Sequence, residues 1–132
     1  MQGFIFFIKG DKMKYHTIDL NGNEINLRLT SLDATNIEKK ANKSILEIIS
    51  EASMKNTCML LRYFVRGGGK TNFSEEDSYN LFDELADSGY ALETIQTEII
   101  LPTLQVSGLL TKSDLENILA KVESSKATQS QK

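Results

Sequence analysis

The hydrophobic pattern of this chain changes period once, at Leu29, and does not change back. Before that point His16, Ile18 and Leu20 alternate with polar neighbours. Ile25, Leu27 and Leu29 do the same against Glu24, Asn26 and Arg28. Period two marks a strand with one buried face, because successive side chains point to opposite sides of a sheet. Between the two runs lies Asn21-Gly22-Asn23, whose residues tolerate positive φ, so a β-hairpin is predicted over residues 14–29. His16 falls on its apolar face and reads as a packing residue. From Leu29 to about residue 123 the apolar residues recur at helical spacing. The predicted fold class is therefore α+β, mainly α: an N-terminal β-hairpin followed by about six short helices in one compact domain, residues 13–123.

Local signals divide the helical part. Thr30 and Asp33 have the spacing of a capping box, and Ala34, Ile37 and Ala41 continue a first helix. Ser44 is placed to cap a second, with Ile45, Ile48, Ile49 and Ala52 as its stripe, and Asn56 to cap a third through Met59, Leu60, Tyr63 and Phe64. Gly67-Gly68-Gly69 ends the third, since three glycines cannot sustain a helix against their backbone entropy. Ser74 and Asp77 form another box before Leu81, Phe82 and Leu85, with Gly89 as the stop. A fifth helix from Leu92 meets Pro102, which is expected to kink or end it. A sixth starts near Thr111 or Ser113 and carries Leu115, Ile118, Leu119 and Val122. Residues 124–132 are a polar tail.

Residues 1–12 read differently from the rest. Back-translated with A-rich codons, Lys9-Gly10-Asp11-Lys12 contains AGGAG ahead of Met13, which predicts translation starting at Met13 and a mis-called leader before it. The competing reading is a true first strand through Phe4-Ile5-Phe6-Phe7-Ile8.

Composition excludes several function classes. No apolar run approaches the roughly 20 residues of a membrane span. One cysteine, Cys58, and one histidine, His16, cannot build the usual zinc sites or a disulfide, and a reducing compartment fits best. The net charge of −3 conceals a split: residues 1–72 hold 11 Lys/Arg and 7 Asp/Glu, whereas residues 73–132 hold 4 and 11. Such halves either are ordinary solvated faces or attract each other between copies, head to tail. Scattered basic residues disfavour nucleic acid.

Motifs that suggest chemistry break their own spacing rules. Gly69-Lys70-Thr71 ends like a phosphate-binding loop, but the required earlier glycine is Phe64 and no strand precedes it. Asp19-x-Asn21-x-Asn23 opens like a calcium loop, but its glycine is misplaced and Thr30 stands where a bidentate Glu belongs. Cys58 among Met59 and Leu60 reads as a small hydrophobe. No enzyme, metal or cofactor is expected. The late segment has more apolar residues than one buried stripe needs: it is either the central core helix or a docking surface. The candidate partner-binding residues are Ile99, Ile100, Leu104, Val106, Leu109 and Leu110.

The order of these features resembles a family. The hairpin is followed by Leu29-Thr30-Ser31-Leu32-Asp33 with Ile37-Glu38-Lys39-Lys40, then Ser44-Ile45-Leu46-Glu47. Further on come Leu81-Phe82-Asp83-Glu84-Leu85-x-Asp87-x-Gly89-Tyr90 and an Ile/Leu-rich helix ending in Val106-Ser107-Gly108-Leu109-Leu110. From Met13 to about Val122 this is similar to the tail assembly chaperones of long, flexible-tailed phages and prophages of Gram-positive bacteria. The resemblance implies a small, mostly helical, non-enzymatic protein of the host cytoplasm that is left out of the mature virion. Its implied partners are the tape measure protein, which it keeps soluble, and tail tube subunits, together with self-association. The alternatives are a structural tail or head–tail connector protein of the virion and a small helical regulatory adaptor.

Overall fold

The structure, a computed structural model, describes residues 14–120. The expectations for the leader, for Met13, for Val122 and for the tail lie outside those residues. The described part is mainly helical with an antiparallel hairpin at its start, as the change of period predicts.

Strands β1 (His16–Leu20) and β2 (Asn23–Leu27) pair with Leu20 opposite Asn23 and His16 opposite Leu27. The two-residue turn between them has positive φ at both Asn21 (55°) and Gly22 (85°), the geometry that matches the strands' right-handed twist. Asp19 turns its carboxylate to the Gly22 N–H at 3.0 Å, so the acidic residue of the calcium-like pattern serves the turn. Ile18, Leu20, Leu27 and Leu29 are buried, on the face predicted from their alternation.

Helix α1 (Ser31–Ala41) forms only half of the expected box: Thr30 Oγ1 accepts from the Asp33 N–H at 3.1 Å, and Asp33 returns no bond to the Thr30 N–H. In α2 (Ile45–Glu51) the box is reciprocal: Ser44 accepts from the Glu47 N–H, and Glu47 accepts from the Ser44 N–H. Helix α3 (Met54–Gly67) departs from expectation at its start. Its N-cap is Ser53, which accepts from the Asn56 N–H at 3.0 Å, and Asn56 lies inside the helix. The Asn56 amide instead reaches back to the Ile48 carbonyl and to Glu51, closing the α2–α3 corner. Helix α4 (Glu75–Asp87) has the predicted Ser74–Asp77 box.

The last long helical stretch is continuous through its proline. Helix α5 (Leu92–Ile95) runs into a π-helical segment, Gln96–Ile100, and then into α6 (Leu101–Val106). In the widened turn the Leu101 N–H bonds the Gln96 carbonyl, five residues back. Pro102 therefore neither ends nor breaks the helix: it stands at the second position of the renewed α-turns, where a missing N–H is tolerated. In the α pattern Pro102 would have donated to the Glu98 carbonyl, and His16 Nε2 lies 2.9 Å from that oxygen. A carbonyl can only accept, so the ring donates from Nε2. Residues 112–120 form α7, opened by a reciprocal Thr111–Asp114 box.

One core joins these elements. Leu27, Ile37, Ile48, Leu61, Phe64, Leu85, Ile95, Ile99 and Leu104 all belong to it, so α5–α6 is packed by the hairpin on one side and by α3 on another.

Candidate partner-binding site

The six residues proposed from sequence as a docking surface do not form one. Ile99 and Leu104 have 0% exposure, Ile100 1% and Leu110 6%. Val106 is half-buried, and Leu109 alone is exposed, at 40%. The reason is the central position of α5–α6: a helix packed on several sides needs apolar residues around most of its girth. Consecutive burial of Ile99, Ile100 and Leu101 is the result. The four buried residues are core, as the competing reading of that segment had it, and no partner reaches them in this fold.

A different feature stands open. Between the end of α1, α2, the outer face of α3 and the start of α4 lies a groove of about 550 Å³. Its floor is half-buried Ala41, Met59 and Tyr63 beside buried Ile48. On α3, Lys55, Met59, Arg62 and Tyr63 share one face because they are spaced by three or four residues. That face was visible in the sequence only as part of a stripe. The buried stripe proper is Leu60, Leu61, Phe64 and Val65, which leaves Met59 and Tyr63 on the flank.

The electrostatics of the groove run against those of the chain. Lys40, Lys43, Lys55 and Arg62 line it, against Glu51 and Glu75. Lys43 pairs with Glu51, and this hydrogen bond, with the Asn56 amide, holds the Glu51 carboxyl below its ordinary range. Arg62 lies over the Tyr63 ring at 5.8 Å and directs Nε to the Phe73 carbonyl at 3.4 Å. Lys40 and Lys55 make no ion pair among the described residues.

A second groove, about 470 Å³, lies between the hairpin and α4 and has the opposite sign: Glu24, Asp77 and Glu84 against Lys70. Lys70, from the phosphate-loop-like triplet, thus sits among carboxylates in a helix–helix connection. Its N–H bonds the Val65 carbonyl.

Neither Cys58 nor His16 lines either groove. Cys58 is buried, and desolvation, with a smaller contribution from Asp83, pushes its thiol up, away from the thiolate a nucleophile needs. His16 is engaged at the far end of the hairpin. Among the described residues no three His, Cys, Asp or Glu side chains gather as a metal site, and no helix is long and apolar enough to cross a membrane. What the geometry can do is hold a chain segment by an apolar floor and a charged rim. In comparisons with known proteins, no family model, no curated protein and no solved structure matches this chain.

Proposed function

We propose that this chain is a non-enzymatic phage tail assembly chaperone. It binds the tape measure protein in the host cytoplasm, keeps that long helical partner soluble, and helps recruit tail tube subunits. The observation that carries this reading is the ordered set of residues from Leu29 to Leu110 that resembles such chaperones. In the fold these residues are spent on helix caps and core, as in Thr30, Ser44, Leu81 and Leu104, rather than on a catalytic constellation. The open grooves support the same reading, because a holding protein needs a surface that covers part of a helix without demanding one sequence.

The test is co-expression with the tape measure protein of the phage or prophage that encodes this chain. The partner is expected in the soluble fraction, and co-purifying, only when this chain is present. Purified particles should lack the chain by mass spectrometry. Its presence there in stoichiometric amount would replace the chaperone with a structural tail or connector subunit.

A further inference from the structure

We propose that the groove between α1–α2, α3 and α4 seats an amphipathic helix that carries carboxylates along one edge. The proposal rests on the tape-measure-binding reading above and specifies which surface takes the partner and what chemistry the bound segment has.

Charge enrichment is the main argument. The groove holds four of the chain's 15 Lys/Arg but only two of its 18 Asp/Glu, on a protein whose net charge is −3. One of the two carboxylates, Glu51, is already engaged by Lys43 and Asn56. Lys40 and Lys55 make no ion pair among the described residues, so their charges are available to a partner.

Arrangement supplies the second argument. Lys40 and Lys43 come from the α1–α2 side and Lys55 from the start of α3, while Glu75 stands on the α4 side. A helix with carboxylates on one edge can turn that edge to the lysines and keep it away from Glu75. A nucleic acid, charged at every phosphate, would meet Glu75 as well. The apolar floor of Met59, Tyr63 and Ala41 suits side chains spaced at i, i+4 and i+7. From Lys55 to Arg62 the α3 face extends about 10 Å, roughly two turns of a partner helix. The exposed charge pairs would set specificity and association rate more than affinity, which suits a partner that must later be released.

The test uses the full chain and two labelled amphipathic peptides of about 21 residues with the same Leu/Ala stripe, one flanked by Glu and one by Lys. Fluorescence anisotropy should show the Glu peptide binding about tenfold more tightly at low salt, with the gap closing as salt rises from about 50 to about 500 mM. The double variant Lys40→Glu/Lys55→Glu alters two exposed side chains. It should keep the helical circular dichroism and reverse the preference. Equal binding of the two peptides overturns the proposal, as does an unchanged preference in the folded variant. So does displacement of the Glu peptide by an oligouridine RNA at lower concentration. If the variant still co-purifies with the tape measure protein, the groove assignment fails while the chaperone reading stands. If wild type captures no tape measure protein yet shows the salt-sensitive peptide preference, the groove assignment stands and the chaperone reading fails.

Discussion

At Gly67 two residue-level effects oppose each other, and their magnitudes decide the sign of a substitution. Helix propensity favours alanine over glycine by about 1 kcal/mol in a helix interior. A Cβ built on Gly67, however, would lie 1.9 Å from the Arg28 carbonyl oxygen, and one on Gly68 1.8 Å from that of Asn26. The partner atoms are backbone, so the strand itself would have to move. The Arg28 N–H, in turn, bonds the Phe64 carbonyl at 3.1 Å, an oxygen that also accepts the Gly68 N–H at 2.9 Å, so strand and glycine run meet at one acceptor. The glycine run is a seat for β2 as well as a helix stop. Gly67→Ala is expected to destabilise by about 1–3 kcal/mol, the cost of overpacking, in urea unfolding. Stabilisation would mean that propensity prevails. Ser107 acts at the other side of the same strand end: its Oγ accepts the N–H of buried Leu29 at 2.8 Å. Ser107→Ala leaves that donor without a partner and should cost about 1–3 kcal/mol by the same measurement, whereas Ser107→Thr keeps the acceptor. The sequence shows the three glycines as a helix terminator because that is a local property. Their closeness to Arg28 and Asn26 follows from tertiary approach, which no local pattern encodes.

Among the elements, the caps were the most legible feature and the docking surface the least. The Ser74–Asp77 box forms within four residues, so spacing alone predicts it, as it does the Ser44 cap, and the Thr111–Asp114 box decides between Thr111 and Ser113 as the start of α7. At α3 the predicted cap, Asn56, gives way to a serine that the sequence reading does not single out. Ser53 prevails because α2 ends at Ala52 in the left-handed region (φ 51°), which puts the next residue in the extended geometry of a cap. The groove was not legible, since it depends on how α2 and α4 lie against α3. Two predictions belong here. Leu104→Ala should cost about 2–5 kcal/mol as a core truncation, and Leu109→Ala should stay within about 0.5 kcal/mol. Comparable losses at both sites would place Leu109 in the core too. The other concerns Asp77, whose carboxyl is held below its ordinary value of 3.8 chiefly by the Ser74 N–H and then by the Ser74 hydroxyl. A lowered folded-state value gives stability that is present above the ordinary range and lost as pH falls through it. Asp77→Ala should therefore lower Tm at neutral pH, with the gap to wild type closing on acidification below about pH 4. A constant gap would assign the effect to something other than the charge.

For the whole molecule the question is whether the hairpin is an appendage or part of the cooperative unit. A two-stranded hairpin is marginal on its own in water. This one has its apolar face in the common core through Ile18, Leu20, Leu27 and Leu29, and its exit strand is held from two directions. Arg28 bonds the end of α3, and Leu29 bonds Ser107 just past α6. At the same open end His16, opposite Leu27, reaches the Glu98 carbonyl in the π-helical segment. The hairpin thus bridges helices that are far apart in the chain, and freeing it would expose apolar surface on α3 and α6 as well as its own. Local opening should then be nearly as costly as global unfolding. Native-state hydrogen exchange checks this directly: the Arg28 and Leu29 amides are expected to exchange with about the same free energy, within about 1 kcal/mol, as the slowest amides of α3. In Gly67→Ala the Arg28 and Leu29 amides should lose protection first, because the clash falls at the strand's seat, while the interior of α3 keeps more of its own. If Arg28 and Leu29 already exchange several kcal/mol more easily than α3 in the wild-type chain, the hairpin opens by itself. The core would then be carried by the helices alone.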